Sequence, residues 1–172
     1  MIETPRLRVH PLTHDQLIKY IQCDPALEIE LGLQPATRKF SPELVEALEQ
    51  SILPRVANKK NDFRYVTLWT IFLKNERTSV GDLCFKGEPD EKGEIEIGYG
   101  TYDEHRQKGY MTEAVGGMLA WAGEQKGVRS MMAETEVSNS GSMKILQNNG
   151  FVIYKEKDNA VWLRCALRKK DN

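Results

Sequence analysis

Between Gly93 and Ala114 the chain gathers residues able to do chemistry. Two carboxylates, Glu94 and Glu96, stand two residues apart, and the basic pair Arg106 and Lys108 brackets Gln107 just before Gly109. Immediately afterwards Met111, Ala114, Val115, Met118, Leu119 and Ala122 recur at helical spacing, which predicts a helix with one apolar face. The start of a helix leaves about four backbone N–H groups without partners and carries roughly half a positive charge. The segment Arg106 to Thr112 is therefore a ready anion site, reinforced by Arg106 and Lys108.

The element that positions this loop is a strand. Ile95, Ile97 and Tyr99 alternate with Glu94, Glu96, Gly98 and Gly100, so the second set shares one face. Gly98 and Gly100 place no side chain there, which permits something to lie close to the backbone. In chain order the pattern predicts a strand at Arg6–His10 and a helix capped by Thr13 and Gln16. Asp24–Lys39 reads as irregular. Ser41-Pro42 starts a second helix, with Leu44, Val45, Leu48, Ile52 and Val56 as its buried face and a kink or end at Pro54. Strands are expected at Arg64–Leu73 and at Ser79–Lys86, the latter broken near Gly81. Gly127 should end the helix that follows the anion loop. A strand Ser130–Val137, a short helix Gly141–Asn149 and a strand pair Phe151–Tyr154 and Ala160–Leu167 complete the chain. Three hairpins and one strand–helix–strand crossover imply an α/β fold. It would be a single domain over residues 1–172, a mixed, mostly antiparallel sheet of about six to seven strands with about four helices on both faces.

Composition narrows the function. At 172 residues the chain can bury a core without a disulfide or metal staple. A net charge of −1, with no polybasic run, argues against nucleic-acid and membrane partners. No apolar run approaches a bilayer span and the N-terminus has no signal-like core. Cys23, Cys84 and Cys165 are far apart and odd in number, so no metal site is expected, and free thiols suit a cytoplasmic protein. His10, His14 and His105 are equally scattered. Lys169 to Asn172 reads as a solvated terminus.

Arg106-x-x-Gly109-x-x after an alternating strand resembles the pyrophosphate loop of the GNAT N-acetyltransferases, Arg/Gln-x-x-Gly-x-Gly/Ala. Glu96-Ile97-Gly98-Tyr99 and Gly109-Tyr110-Met111-Thr112-Glu113-Ala114 are similar to the branch that acetylates ribosomal-protein N-termini (RimJ/RimL-like). Met111 stands where the family has Gly or Ala, but in phase with the apolar helix face, so its side chain can point inward and leave its N–H free. Asn139-x-x-Ser142 followed by Gly150-Phe151 resembles the family's C-terminal motif, and Thr4 to Val9 its opening strand. The resemblance implies a sheet splayed at its centre and acetyl-CoA as co-substrate, with no metal. The diphosphate would lie on the backbone of Gln107, Lys108, Gly109, Tyr110, Met111 and Thr112. The pantetheine arm would run along Gly98, Tyr99 and Gly100, with Asn139 hydrogen-bonding near the thioester. It also implies an amine acceptor, either a protein N-terminus or a small molecule, and a monomer or homodimer.

An amine attacks a thioester only when neutral, so a carboxylate must take its proton. Glu96 is the candidate base and Glu94 the second choice; the plainer reading of Glu96 is a solvated glutamate or the partner of a nearby lysine. The departing thiolate needs a proton that many relatives draw from a tyrosine at the position of Leu146. Ser142 is the candidate here, against a plain role in helix capping. A backbone N–H near Tyr99 or Gly100 could hold the oxyanion. No cysteine lies in either motif, which argues for direct transfer. A non-catalytic acyl-CoA sensor is the alternative, whereas a nucleotide-type phosphate loop lacks its Gly-x-x-x-x-Gly-Lys-Ser/Thr signature. Trp69, Trp121 and Trp162 read as packing. Glu28, Glu30, Glu43, Glu46 and Glu49 read as a solvated face that could also attract a cationic amine. Gly116, Gly117 and Gly123 could let their helix pack tightly.

Overall fold

The computed structural model describes residues 1–35, 40 and 42–167, without the Glu43 side chain. The expected Ser41 cap and the Lys169–Asn172 terminus lie outside the described residues. One eight-stranded sheet runs through the molecule in the order β1-β2-β3-β4-β5-β6-β8-β7. Its strands are β1 (Ile2–Glu3), β2 (Leu7–Pro11), β3 (Leu68–Leu73), β4 (Ser79–Phe85), β5 (Glu94–Thr101), β6 (Ser130–Glu136), β7 (Val152–Lys157) and β8 (Ala160–Ala166). The sheet thus exceeds the expected six to seven strands through β1, whose two residues are too few to show alternation.

Among the described residues the helices are α1 (His14–Ile21), α2 (Ala26–Leu31), α3 (Pro42–Ala47), α4 (Leu53–Ala57), α5 (Tyr110–Gly123) and α6 (Ser140–Asn148). Thr13 and Gln16 make the predicted reciprocal cap on α1. The stretch read as irregular contains α2, six residues long and closed by Gly32 in the left-handed conformation. Six residues complete fewer than two turns, so no periodicity betrays them. A π-helical turn, Leu48–Ile52, joins α3 to α4. There the Leu53 N–H reaches back to the Leu48 carbonyl, and the kink expected at Pro54 takes this form. The extra residue rotates α3 relative to α4. Leu48 and Val56 are buried as expected, but Leu44 is exposed.

Strand β3 starts at Leu68 rather than Arg64, because Asp62 caps a 3₁₀ turn over Phe63–Tyr65. Strand β4 runs through Gly81, but its pairing with β3 shifts right beside it: Ile71 faces Gly81 and Phe72 faces Ser79, so Val80 is the extra, bulged residue of β4, where the break was expected. A side chain at Gly81 would meet the Gly100 carbonyl oxygen at 2.4 Å, so the glycine is what lets β4 and β5 approach. Helix α5 ends at Gly123, not Gly127. Within it Gly117 gives room to Thr4, whose methyl would be 2.8 Å from an added Cβ.

Every residue of β3 is buried, so both faces of the sheet are covered there. Phe85 pairs with Ile97 and stacks on Trp121 of α5. Asp82 pairs with Gly100 and accepts from the Tyr20 hydroxyl of α1 at 2.7 Å. The face of Ile95, Ile97 and Tyr99 therefore belongs to α5, and the face of Glu96, Gly98 and Gly100 to α1. Between β5 and β6, the parallel pair, the register holds for Glu94–Ser130, Ile95–Met131 and Glu96–Met132 and then stops. Beyond that point β5 pairs only with β4 and β6 only with β8. The sheet splays at its centre.

Candidate active site

A cleft of about 1100 Å³ opens where β5 and β6 part. It is lined by Tyr99 and Gly100 of β5, by Arg106, Gln107, Gly109, Tyr110, Met111 and Thr112, and by Asn139 and Ser142 at the start of α6. Three predicted residues do not line it: Glu96, Gly98 and Lys108.

At its floor is the loop into α5. Gln107 and Gly109 both take positive φ, 61° and 75°, so successive backbone N–H groups turn toward one side, the concave arrangement that holds anions. Glu113 makes the first backbone bond of α5, to Gly109. Among the described residues no backbone carbonyl accepts from the N–H groups of Gln107 to Thr112. Met111 points inward as expected and is buried in the core, which leaves its backbone on the cleft. Arg106 is exposed and ion-paired with Asp103 at 2.8 Å.

The loop is held from outside by residues the motif reading passed over. The Glu113 carboxylate accepts from the Thr4 hydroxyl at 2.6 Å, from the Arg6 backbone N–H at 2.7 Å and from Arg6 Nε at 2.6 Å. The same guanidinium donates to the Lys108 carbonyl at 3.1 Å and lies over the Tyr110 ring, 4.8 Å from its centre. Burial pushes the Glu113 pKa up, but these donors outweigh it and hold it below the usual carboxylate range. The available signal was a glutamate in the first turn of the helix whose start reads as an anion site, since two negative charges there repel and favour a cation beside them. Asn149 adds a second tie, donating to the Thr112 carbonyl at 3.0 Å.

On the α6 side Asn139 caps the helix, its Oδ1 accepting from the Ser142 N–H at 3.0 Å. The Ser142 hydroxyl is 3.0 Å from the Tyr99 hydroxyl, and burial pushes the Tyr99 phenol up, so it stays protonated. Leu146 is fully buried in the core and offers no proton.

On the opposite face, Glu96 is ion-paired with Lys86, whose ammonium also lies 3.5 Å from Glu134 of β6. Burial works against that ammonium, yet the two carboxylates outweigh it and its pKa is raised. Glu94 is committed elsewhere: Arg164 holds it at 3.0 Å and the Ser130 hydroxyl at 3.2 Å. The glutamates of the first helices do not form one solvated face. Glu28 is buried and Glu30 is bonded to Lys19 and Gln16. Trp69 and Trp121 pack together, 5.4 Å between rings, as core aromatics. Among the described residues no group of three or more His, Cys, Asp or Glu side chains could hold a metal, and no helix is long and apolar enough to cross a membrane.

A parted parallel pair, a loop of unpaired backbone amides and a helix start thus meet around one cleft. The acetyltransferase (GNAT) domain family matches residues 6–152. An uncharacterized N-acetyltransferase of Bacillus subtilis strain 168, YjdG, is 31% identical over 164 residues, covering 95% of this chain and 96% of that protein. Among solved structures, a ribosomal-protein-S5-alanine acetyltransferase from Vibrio fischeri superposes with a TM-score of 0.71 at 18% identity, covering 99% and 98% of the two chains. RimL, a ribosomal L7/L12 α-N-protein acetyltransferase solved with coenzyme A, superposes at 0.66 and 16% identity, covering 95% and 96%. The chain belongs to the GNAT family of N-acetyltransferases, enzymes that move an acetyl group from acetyl-CoA to an amine.

Proposed function

We propose that the acceptor is the N-terminal amine of a protein, acetylated by direct attack with Glu96 as base and Ser142 as proton donor. The observation that supports these roles is that Glu96 sits at the last rung of the β5–β6 pairing, on the α1 face, whereas Ser142 of α6 meets Tyr99, on the α5 face. In acyl transfer the amine approaches the carbonyl from one side while the thiolate departs elsewhere, so base and acid have to be apart.

The residues fit acetyl-CoA. The free N–H groups of Gln107 to Thr112 suit a diphosphate. An added Cβ at Gly100 would meet nothing within 4 Å, so the β5 backbone is open to an extended arm. When bound, acetyl-CoA supplies the activated acetyl group, and the remaining tasks fall to this chain. Glu96 takes a proton from the incoming ammonium, and for that the amine has to displace Lys86 from the Glu96 carboxylate. The Ser142 hydroxyl gives a proton toward the departing sulfur and takes one through the Tyr99 hydroxyl behind it, 3.0 Å away, which regains its own from solvent, balancing the second proton that the nitrogen sheds to solvent as the amide forms. The β5 edge near Tyr99 and Gly100, unpaired toward β6, supplies backbone donors for developing negative charge.

A protein acceptor is favoured by the surface beside Glu96. Met132, Glu134, Trp162 and Arg164 continue the same face across β6 and β8 as a half-exposed platform broad enough for a polypeptide. The solved neighbours that act on ribosomal proteins point the same way. The test is an acceptor screen with acetyl-CoA, read as released thiol. It uses peptides differing at the first residue, set against polyamines and free amino acids. Transfer to peptide N-termini that is lost in Glu96→Gln is expected. Transfer to small amines alone would overturn the protein acceptor, and full turnover in Glu96→Gln would overturn the base.

A further inference from the structure

We infer that Arg6 is a positioning residue for the diphosphate loop and the neutralising partner that allows a carboxylate to stand beside an anion site. The inference rests on the reading of Gln107 to Thr112 as the diphosphate cradle. Glu113 stands in the first turn of α5, beside the N–H groups that would receive the diphosphate. Left bare, its charge would oppose a second anion a few ångströms away and cancel much of what the helix terminus offers. Arg6 answers it with two donors, the backbone N–H at 2.7 Å and Nε at 2.6 Å. Its third contact, from Nη1 to the Lys108 carbonyl at 3.1 Å, ties the guanidinium to the loop itself. By pulling that carbonyl outward, Arg6 leaves the N–H side of the loop turned toward the cleft. A planar, five-donor cation is the side chain that can serve the carboxylate, the carbonyl and the Tyr110 ring at once.

The Glu113 charge also explains why Thr4 and Arg6 stand two residues apart. Thr4 donates to the same carboxylate oxygen as the Arg6 backbone, and its hydroxyl in turn accepts from the Leu7 N–H at 3.1 Å. The turn entering β2 thus docks on α5 as one unit. Arg6 does not line the cleft, so its effect on the ligand passes through Glu113 and Lys108.

Titration calorimetry with CoA, which needs no acceptor, is the test. Wild-type binding is measured first, and its absence would overturn the loop reading and this proposal together. Given wild-type binding, Arg6→Met is expected to weaken CoA about tenfold, a loss of about 1.4 kcal/mol. Adding Glu113→Gln to Arg6→Met should recover about threefold, because it removes the charge that Arg6 had masked. A scaffold-only role predicts the reverse, since the second substitution would delete further hydrogen bonds. Arg6→Lys, which keeps the charge but not the fork, should fall between, and serves if the Met variant does not fold. Wild-type affinity in Arg6→Met or Arg6→Lys would overturn the proposal, as would a double variant that binds no better than the single one.

Discussion

The loop before α5 and the proposed catalytic side chains are built on different plans. The loop is made of backbone: amides of Gln107 to Thr112 presented by two left-handed residues and clamped from behind by Thr4, Arg6 and Asn149. The proposed catalytic groups are side chains, and they engage one another: Ser142 with Tyr99 in the cleft, and Glu96 with Lys86 on the opposite face of the sheet. A backbone cradle has one conformation and needs no rearrangement to receive its ligand. A side-chain site that pairs with itself must be opened by the substrate. Affinity for the donor and turnover of the acceptor should therefore separate cleanly under substitution.

Glu96→Gln offers the sharpest break. Turnover should fall about 10²- to 10⁴-fold while CoA affinity by calorimetry stays within about twofold, and a variant that also lost CoA would erase the distinction between the two plans. At the loop, Gly109→Ala forces a Cβ onto a residue at φ 75°. It should cost about 1–2 kcal/mol of loop geometry, read as roughly tenfold weaker CoA. Lys86→Met tests whether the Glu96 site is self-occupied. Removal of the competing ammonium should lower the KM for the acceptor about two- to fivefold, and a KM that rises instead would make Lys86 part of acceptor binding. The smallest effect is in acid. The folded-state pKa of Glu113 is depressed, so its stabilising bonds are complete above the unfolded value of about 4.3 and vanish as pH falls through the folded value. The melting temperature of the wild type should exceed that of Glu113→Gln by a constant margin from about pH 7 to 5, and the margin should close below about pH 4. A margin still open in strong acid would mean that the carboxylate charge is irrelevant to the clamp.

What could be read in the sequence divides along the same line. The alternation from Glu94 to Gly100 fixed faces correctly, because a strand side-chain period of two admits one assignment. The loop and its helix were legible because a backbone site depends on glycine placement and helix phase, both local. Asn139 lines the cleft, and its Oδ1 also caps α6, a use that spacing alone does not separate from ligand binding. The ion pair of Glu96 was open in principle as a lysine partner, yet nothing in the order of residues says that Lys86, just past the end of β4, faces Glu134 of β6. The clamp joins positions 4 and 6 to position 113, and a contact across so much chain leaves no periodic trace. The missed helix α2 and the displaced start of β3 are short-range errors of another kind, where one cap (Gly32 or Asp62) outweighs weak propensity.

The brief parallel register between β5 and β6 also bears on how the chain reaches its native state. From β1 to β5 the sheet pairs antiparallel between strand neighbours, and β7 and β8 form their own hairpin. The join between these halves waits for α5 to be laid down and for a non-local parallel pairing, the slowest kind to form. With three rungs at that join, the seam is where native hydrogen exchange should be fastest in the interior of the sheet, away from its edge strands β1 and β7. A ligand lying across the parting strands would slow that exchange by mass action, so the donor substrate would double as a clasp for the seam inside the sheet.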